Sequence, residues 1–589
     1  MVIESSGKAF MIPDISKQDR LLLAGSLLAA AVLLFTALGS GGIPAAQEGR
    51  TAIIVKNMLD TGNWLDMQVP GGIPYEKPVG HYWMCLPFAA ALHADRVDLS
   101  GCASEWAVRL PSAVSAMLAL VAAMLLALRI FGVRTAALTV IVLSTSVTFL
   151  HLGRLAHIDM PLCASFTWAM FFLYIGYFEK MKFTPWLYGF YACLGWGMIL
   201  KGPLVVILAG LTVLAMMLRT RRWCTIWELR PLTGGAVFLL ISMPWYVIET
   251  IRTDGAFFDE FIMKQNISRF TGVGSTYRNG ERMALWYYIP KMTAGMLPWS
   301  IPALAAGIVF FKRLIRLRFS NGPLFLFMWF LTGFVFFSLS ALKRGDYLLP
   351  IYPALGILTA AVVVRGCEKL PPLPRHVYWF PAALGVLLAG GLTLSFSGTL
   401  SRIAHARLEG HIRHIGKSDA NNMLLISSWI NSHALTAISV SLAILALVIL
   451  LAVLIRRGRY RAVLLLFCVF SYAVFAFYVG YLDPVSGDRY RSVKSFTAEA
   501  RRIIPKEEKI LIADDFNTEL LYFLDRPYST ESDSAYRFMV TSRKYADALQ
   551  KKYPGQWEEL LQTVENHQYP AVLLRRKEEK QIKQESEQL

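Results

Sequence analysis

The stretch YWMCLPFAAALHA (82–94) decides how the chain is threaded. It is apolar but short, because a hydrocarbon core of about 30 Å takes roughly 20 helical residues to cross. Longer apolar runs lie at 21–39, 106–128, 135–150, 160–178, 184–200, 203–218, 232–250, 298–311, 323–341, 347–364, 378–396, 434–455 and 462–481. With those thirteen spans and a cytoplasmic N-terminus, the basic clusters fall on the inner side. They include Arg219, Arg221, Arg222 and Arg230, then Lys312, Arg313, Arg316 and Arg318, then Arg456, Arg457, Arg459 and Arg461. Counting 82–94 as a fourteenth span would turn every later cluster outward, against the positive-inside rule. The segment is therefore expected to lie in the outer interface.

The composition agrees with this reading. The 589 residues are 55% hydrophobic and 17% charged, with a mean hydropathy of +0.45. Soluble domains hold about 45–50% apolar and about 25% charged residues. Backbone groups in lipid must be satisfied within the segment, so the runs are expected to be helices. They lack the alternation of a membrane barrel. The net charge of +18 is expected to reside in cytoplasmic loops and not to signal nucleic acid. The seven cysteines are scattered without a CxxC, which indicates neither a zinc knuckle nor a disulfide framework. No cleavable signal is expected, since the first long apolar run exceeds a signal core.

The expected architecture is a polytopic α-helical membrane protein of about 13 transmembrane helices. Residues 1–483 form the membrane domain, with a first periplasmic loop at 40–105. Residues 484–589 form a small soluble α/β domain on the same outer side. There KILIA (509–513) and YPAVLLRR (569–576) read as strands, and TELLYFLDR (518–526) and SRKYADALQKKY (542–553) as helices.

Chemistry-bearing residues collect on the outer face. In the first loop, Glu48 and Arg50 precede TAIIVKNMLDTG, an expected helix closed by Gly62, and Glu76 and Lys77 sit between prolines. HLGRLAHIDMP (151–161) places Arg154, His157 and Asp159 at a helix start, where Asp159 caps the helix, joins the chemistry, or both. In LKGPL (200–204), Lys201 either snorkels or meets a phosphate. KQNISRFTGVG (264–274) adds Arg269. LKRGDYLLPIYP (342–353) adds Lys343, Arg344 and Tyr347, which suit a lipid phosphate or anionic headgroups. Carboxylates can deprotonate an acceptor, and cations can hold a phosphate leaving group. No nucleotide-phosphate loop is present, so a polyprenyl-phosphate sugar is the more plausible donor.

The segments EGR, KNMLDTGNW, YEKP, HYW, GRLAHIDMP, LKGP and KRGDYLLPIYPAL together resemble the bacterial members of the protein-mannosyltransferase-like family with the glycosyltransferase-C fold. The likeness is greatest to lipid A 4-amino-4-deoxy-L-arabinose transferases. It implies an undecaprenyl-phosphate-linked donor, an inverting displacement and an active site on the periplasmic face of the bacterial inner membrane. It also implies that Arg50, Lys77, Lys201 and Arg269 lie near the carrier phosphate with Tyr347 beside it, and Glu76, Arg154, Lys343 and Arg344, read from their positions, complete the expected carrier- and substrate-binding set. The family's acidic pair falls on Gln47–Glu48, which moves the expected base to Glu48 with Asp159 as helper. A metal associated with some members matches Glu76 and Asn266. Asn266 is a poor ligand, so no cofactor and no metal are assigned. The acceptor is lipid A or, alternatively, another glycan or a protein hydroxyl. The different-class alternatives are a flippase and a carrier-binding pseudo-enzyme.

Overall fold

The computed structural model describes residues 15–577 except 45, 68, 70–74, 93–102, 179–184, 269–270, 272–283, 317–319, 369–378, 380–381, 384, 388–389, 391–397, 409–416, 433, 514–517, 530–535 and 564–569. Every apolar run outside 378–396, which lies mostly beyond the described residues, is helical. Among the described residues, seven helices are long and apolar enough to cross a membrane, or eight if one bent pair counts as a span. Leu204–Thr220 and Ser441–Arg456 are apolar but shorter.

The bent pair corrects the single span expected at 135–150. Val133–Ser144 and Val147–Arg154 meet at 66°. The freed polar groups find local partners, as a break within a membrane requires. Thr145 Oγ1 donates to Ile141 O at 2.5 Å and accepts from Trp299 Nε1 at 2.9 Å, while Val147 N–H donates to Leu297 O at 3.1 Å. Beyond the bend, Arg154 reaches the end of Lys17–Phe35 and Ala156 N–H reaches Glu48 of the first loop.

Ala103–Phe131 lies against Asp159–Leu173, and its Ala116, Ala119 and Ala123 are fully buried. Small side chains let helix backbones approach closely where lipid offers no hydrophobic drive. Asp159–Leu173 is buried nearly all round. Pro231–Arg252 and Tyr460–Phe477 instead expose Leu239, Leu240, Leu465 and Val469, which suits contact with lipid tails. The segment expected in the outer interface forms Gly80–Ala91, twelve residues long and packed on Ala103–Phe131.

The first-loop helix runs Ala46–Thr61, starting early enough to include Glu48 and Arg50. It closes at Gly62, whose φ of +68° is a conformation that favours glycine. Against it packs Thr518–Leu524 of the C-terminal unit. That unit holds a mixed sheet of β1 (Ile510–Ile512), β2 (Tyr528–Ser529), β3 (Phe538–Ser542), β4 (Trp557–Gln562) and β5 (Ala571–Arg576), in the order β2-β1-β3-β5-β4. The expected strands and helices are present. β2, β3 and β4, which carried no expectation, complete the sheet.

Glu519 latches this unit to the membrane domain. It accepts from Ile43 N–H at 2.9 Å, Ser492 Oγ at 2.6 Å and Val493 N–H at 3.1 Å. Lys494 Nζ reaches Glu105 at 2.7 Å, and Tyr522 OH reaches Ser104 Oγ at 2.7 Å. Burial pushes the Glu519 carboxyl up to about 7. The folded state therefore binds a proton that the unfolded state releases earlier. The associated stability is complete below the ordinary carboxylate range and is lost as pH rises through about 7. Protection of the 518–524 amides, measured against their intrinsic base-catalysed exchange, is expected to fall between pH 5 and pH 8, and Glu519→Gln is expected to remove that fall. An unchanged pH profile in the variant would contradict the latch.

Candidate active site

Glu48 is 1% exposed and lies in a buried ion pair. Its Oε1 accepts from Arg109 Nε at 2.8 Å and from Ala156 N–H at 2.9 Å, and its Oε2 accepts from Arg109 Nη2 at 3.0 Å. Arg109 also donates to the carbonyls of Leu38 and Ser40 at 2.9 and 2.8 Å and to that of Gly42. Both Glu48 oxygens are thus committed to holding the 38–48 turn onto Ala103–Phe131. Gln47, beside it, accepts from Thr51 Oγ1 through its backbone carbonyl at 2.8 Å.

Arg154 is similarly engaged. It donates to Leu33, Leu34 and Thr36 carbonyls at 2.9, 3.1 and 2.7 Å. These are carbonyls that the end of Lys17–Phe35 leaves without helical partners. Lys343 is buried and donates to Ser340 O at 2.5 Å. Arg269 lies outside the described residues.

Other expected residues converge. Glu76, Lys77, Lys201 and Tyr347 line one cavity of about 340 Å³, with Leu204, Ile207, Phe261, Phe336 and Phe337 forming much of its wall. Glu76 pairs with Arg50 and lies 3.6 Å from Lys77 Nζ. Lys201 sits 4.6 Å over the Tyr347 ring. The local sequence explains these positions. Lys201 ends one helix, Gly202 at φ +93° turns the chain, and Leu204–Thr220 returns. Phe258–Ser268 is wound as a π-helix and brings Phe261 and Asn266 to the cavity. Such windings recur at functional sites.

Asp159 begins its helix without making a side-chain cap, so that expected role is not seen. It pairs instead with Lys201 and lies 2.8 Å from His157 Nδ1. His157 Nε2 is 3.6 Å from Asp346, which pairs with Arg344 at 2.9 Å. Arg344 lies 5.9 Å from the Tyr347 ring centre. Sequence reading missed Asp346, although it sits directly before Tyr347, and missed Arg109 inside an apolar run.

Ligand-type atoms of His157, Asp159 and Asp346 lie within 4.8 Å of one another. Lys201 and Arg344 already neutralise the two carboxylates, so a divalent cation fits poorly there. Glu76 faces Arg50 and Lys77, and Asn266 Nδ2 donates to Phe261 O at 2.7 Å. That second pair does not form a ligand set either.

Residues 85–248 match the family model described as dolichyl-phosphate-mannose-protein mannosyltransferase. An undecaprenyl phosphate-alpha-4-amino-4-deoxy-L-arabinose arabinosyl transferase from Edwardsiella ictaluri is 28% identical, over 54% of this chain and 55% of its own length. One of the same description from Erwinia tasmaniensis is 30% identical, over 58% of this chain and 60% of its own. The chain thus spans little more than half the length of these curated relatives. A crystal structure of ArnT from Cupriavidus metallidurans bound to undecaprenyl phosphate superposes with a TM-score of 0.70 at 21% identity. That likeness covers 94% of this chain and 97% of the other. At that identity it establishes the fold, the one expected from the sequence. By sequence over residues 85–248 and by fold over nearly its whole length, the chain is similar to the membrane glycosyltransferases of the protein-mannosyltransferase type.

Proposed function

We propose that the protein is an inverting glycosyltransferase that moves 4-amino-4-deoxy-L-arabinose, or a related sugar, from undecaprenyl phosphate to lipid A. It works at the periplasmic face of the bacterial inner membrane, with about thirteen spans and with the C-terminal α/β unit outside. The observation that carries this reading is the convergence of Lys77, Lys201 and Tyr347 on one largely apolar cavity. An apolar wall suits a polyprenyl chain, and two ammonium groups suit its phosphate. The named relatives and the fold likeness support the same donor. The rich basic character of the outer loops favours an acidic acceptor.

In this reaction the acceptor's oxygen attacks the anomeric carbon from the side opposite the phosphate. The bond from that carbon to the phosphate oxygen breaks, and the electron pair leaves with the carrier. Lys77 and Lys201 face the charge that the phosphate gains, and that interaction strengthens in the transition state. Glu76 and Arg50 hold Lys77 in place at the cavity edge.

Lys77→Ala is expected to weaken binding of undecaprenyl phosphate by about tenfold to a hundredfold, because a charge-assisted hydrogen bond contributes about 1.5–3 kcal/mol. Titration of the purified full chain with undecaprenyl phosphate, followed by thermal stabilisation, measures this. Unchanged affinity would remove Lys77 from the phosphate site.

A further inference from the structure

Three segments bring an imidazole between two carboxylates. His157 comes from the turn before Asp159–Leu173, Asp159 begins that helix, and Asp346 comes from the 3₁₀ segment Gly345–Ile351. His157 Nδ1 lies 2.8 Å from Asp159 Oδ2, and Nε2 lies 3.6 Å from Asp346 Oδ2. Nδ1 also lies 3.4 Å from the Asp159 backbone N–H. The same nitrogen therefore faces a donor and an acceptor. With its proton on Nε2 the ring accepts from the backbone, and with its proton on Nδ1 it faces Oδ2 at ion-pair distance. Each ring nitrogen thus has a carboxylate beside it, as a group that passes protons requires.

The row is graded in exposure. The side chains of Asp159, His157 and Asp346 are 2%, 10% and 14% exposed. Asp346 is thus the end that opens outward, and its sequence neighbour Tyr347 lines the carrier cavity. At the sealed end, Asp159 is tied to Lys201, which lines the same cavity. Arg344 meets both Asp346 oxygens, at 3.2 and 2.9 Å, but is itself half exposed, whereas Glu48 and its partner Arg109 are both sealed.

We propose that Asp346, His157 and Asp159 form the proton-accepting row of the transfer, with Asp346 removing the proton from the acceptor's attacking oxygen. This rests on the glycosyl-transfer reading above and deepens it. As the oxygen-to-carbon bond forms and the carbon-to-phosphate-oxygen bond breaks, the acceptor's proton moves to Asp346. His157 takes it at Nε2, and Asp159 stabilises the imidazolium through Nδ1–H. The proton leaves later through the exposed end at Asp346. Asp346 is the catalytic residue here, and His157 and Asp159 are positioning residues. Six charged or titratable groups face His157 or its partners: Asp159, Asp346, Lys201, Arg344, His81 and His151.

The test uses the full chain in vesicles, with undecaprenyl-phosphate 4-amino-4-deoxy-L-arabinose as donor and lipid A as acceptor. Asp346→Asn is expected to lower kcat by about a hundredfold or more, the usual range for a general base. Undecaprenyl phosphate affinity should stay within twofold, which also reports an intact fold. Asp346→Glu should recover to within about tenfold of the original rate. His157→Gln should lower kcat and flatten the acid limb of kcat against pH, an effect that loss of packing alone would not produce. Transfer by the unaltered protein together with a near-normal rate in Asp346→Asn overturns the row and leaves the transferase reading standing. Absence of transfer by the unaltered protein overturns both.

Discussion

Replacing Arg109 with alanine is expected to remove most of the folded protein from the membrane. Arg109 and Glu48 are 6% and 1% exposed and joined by two hydrogen bonds. Truncating the arginine leaves a buried carboxylate without its cation, at a cost of about 3–5 kcal/mol. It also strips a donor from the carbonyls of Leu38, Ser40 and Gly42. Against a total stability of about 5–15 kcal/mol, that loss is decisive. Arg109→Lys should rescue only weakly, because an ammonium lacks the planar fork that meets a carboxylate on two sides. Yield in membranes and the thermal midpoint in detergent measure the effect. A midpoint within two degrees of the original would contradict the structural role assigned to the pair.

Lys201→Met is expected to damage two properties that a second substitution separates. Lys201 lines the cavity proposed for the carrier and is paired with Asp159. Its loss removes the proposed phosphate partner and leaves Asp159 short of a cation. Stability should fall by about 3–5 kcal/mol, the usual effect of breaking a buried pair. Adding Asp159→Asn neutralises the stranded charge, so the double variant should regain much of the midpoint. It should not regain carrier affinity, because the phosphate still lacks its ammonium. If the double variant binds undecaprenyl phosphate normally, Lys201 is structural alone.

Much of the fold was legible because hydrophobic length is a local signal. The run 160–178 needs no partner to be read as a helix in lipid, and Asp159–Phe178 is helical throughout. The bend inside 135–150 was not legible. It depends on Trp299 and Leu297, which lie about 150 residues away in sequence. Likewise β3 and β4 are recognised through their antiparallel pairing with β5, a contact between separate segments.

The site divides in the same way. Lys201 and Tyr347 stood out as polar groups at the ends of apolar runs and Lys77 as a charge between prolines in the first loop, and the structure gathers them at one cavity. Glu48 and Arg154 carried the same signal for another reason. A buried ion pair and a helix-end clamp also place charge at a membrane boundary, and only the partners distinguish these uses from binding. Arg109 shows the converse. An arginine within an apolar run is costly unless paired, a signal that the sequence carried and the reading passed over. Asp346 was hidden by its neighbours, since its meaning lies in the approach of His157 from a distant turn.

The most direct measurement is mass spectrometry of lipid A after incubation with the purified full chain and undecaprenyl-phosphate 4-amino-4-deoxy-L-arabinose in vesicles. The expected result is lipid A heavier by one aminoarabinose unit, with free undecaprenyl phosphate released in equal amount. An intact donor and unmodified lipid A, with the protein folded and binding undecaprenyl phosphate, would contradict the proposed transfer.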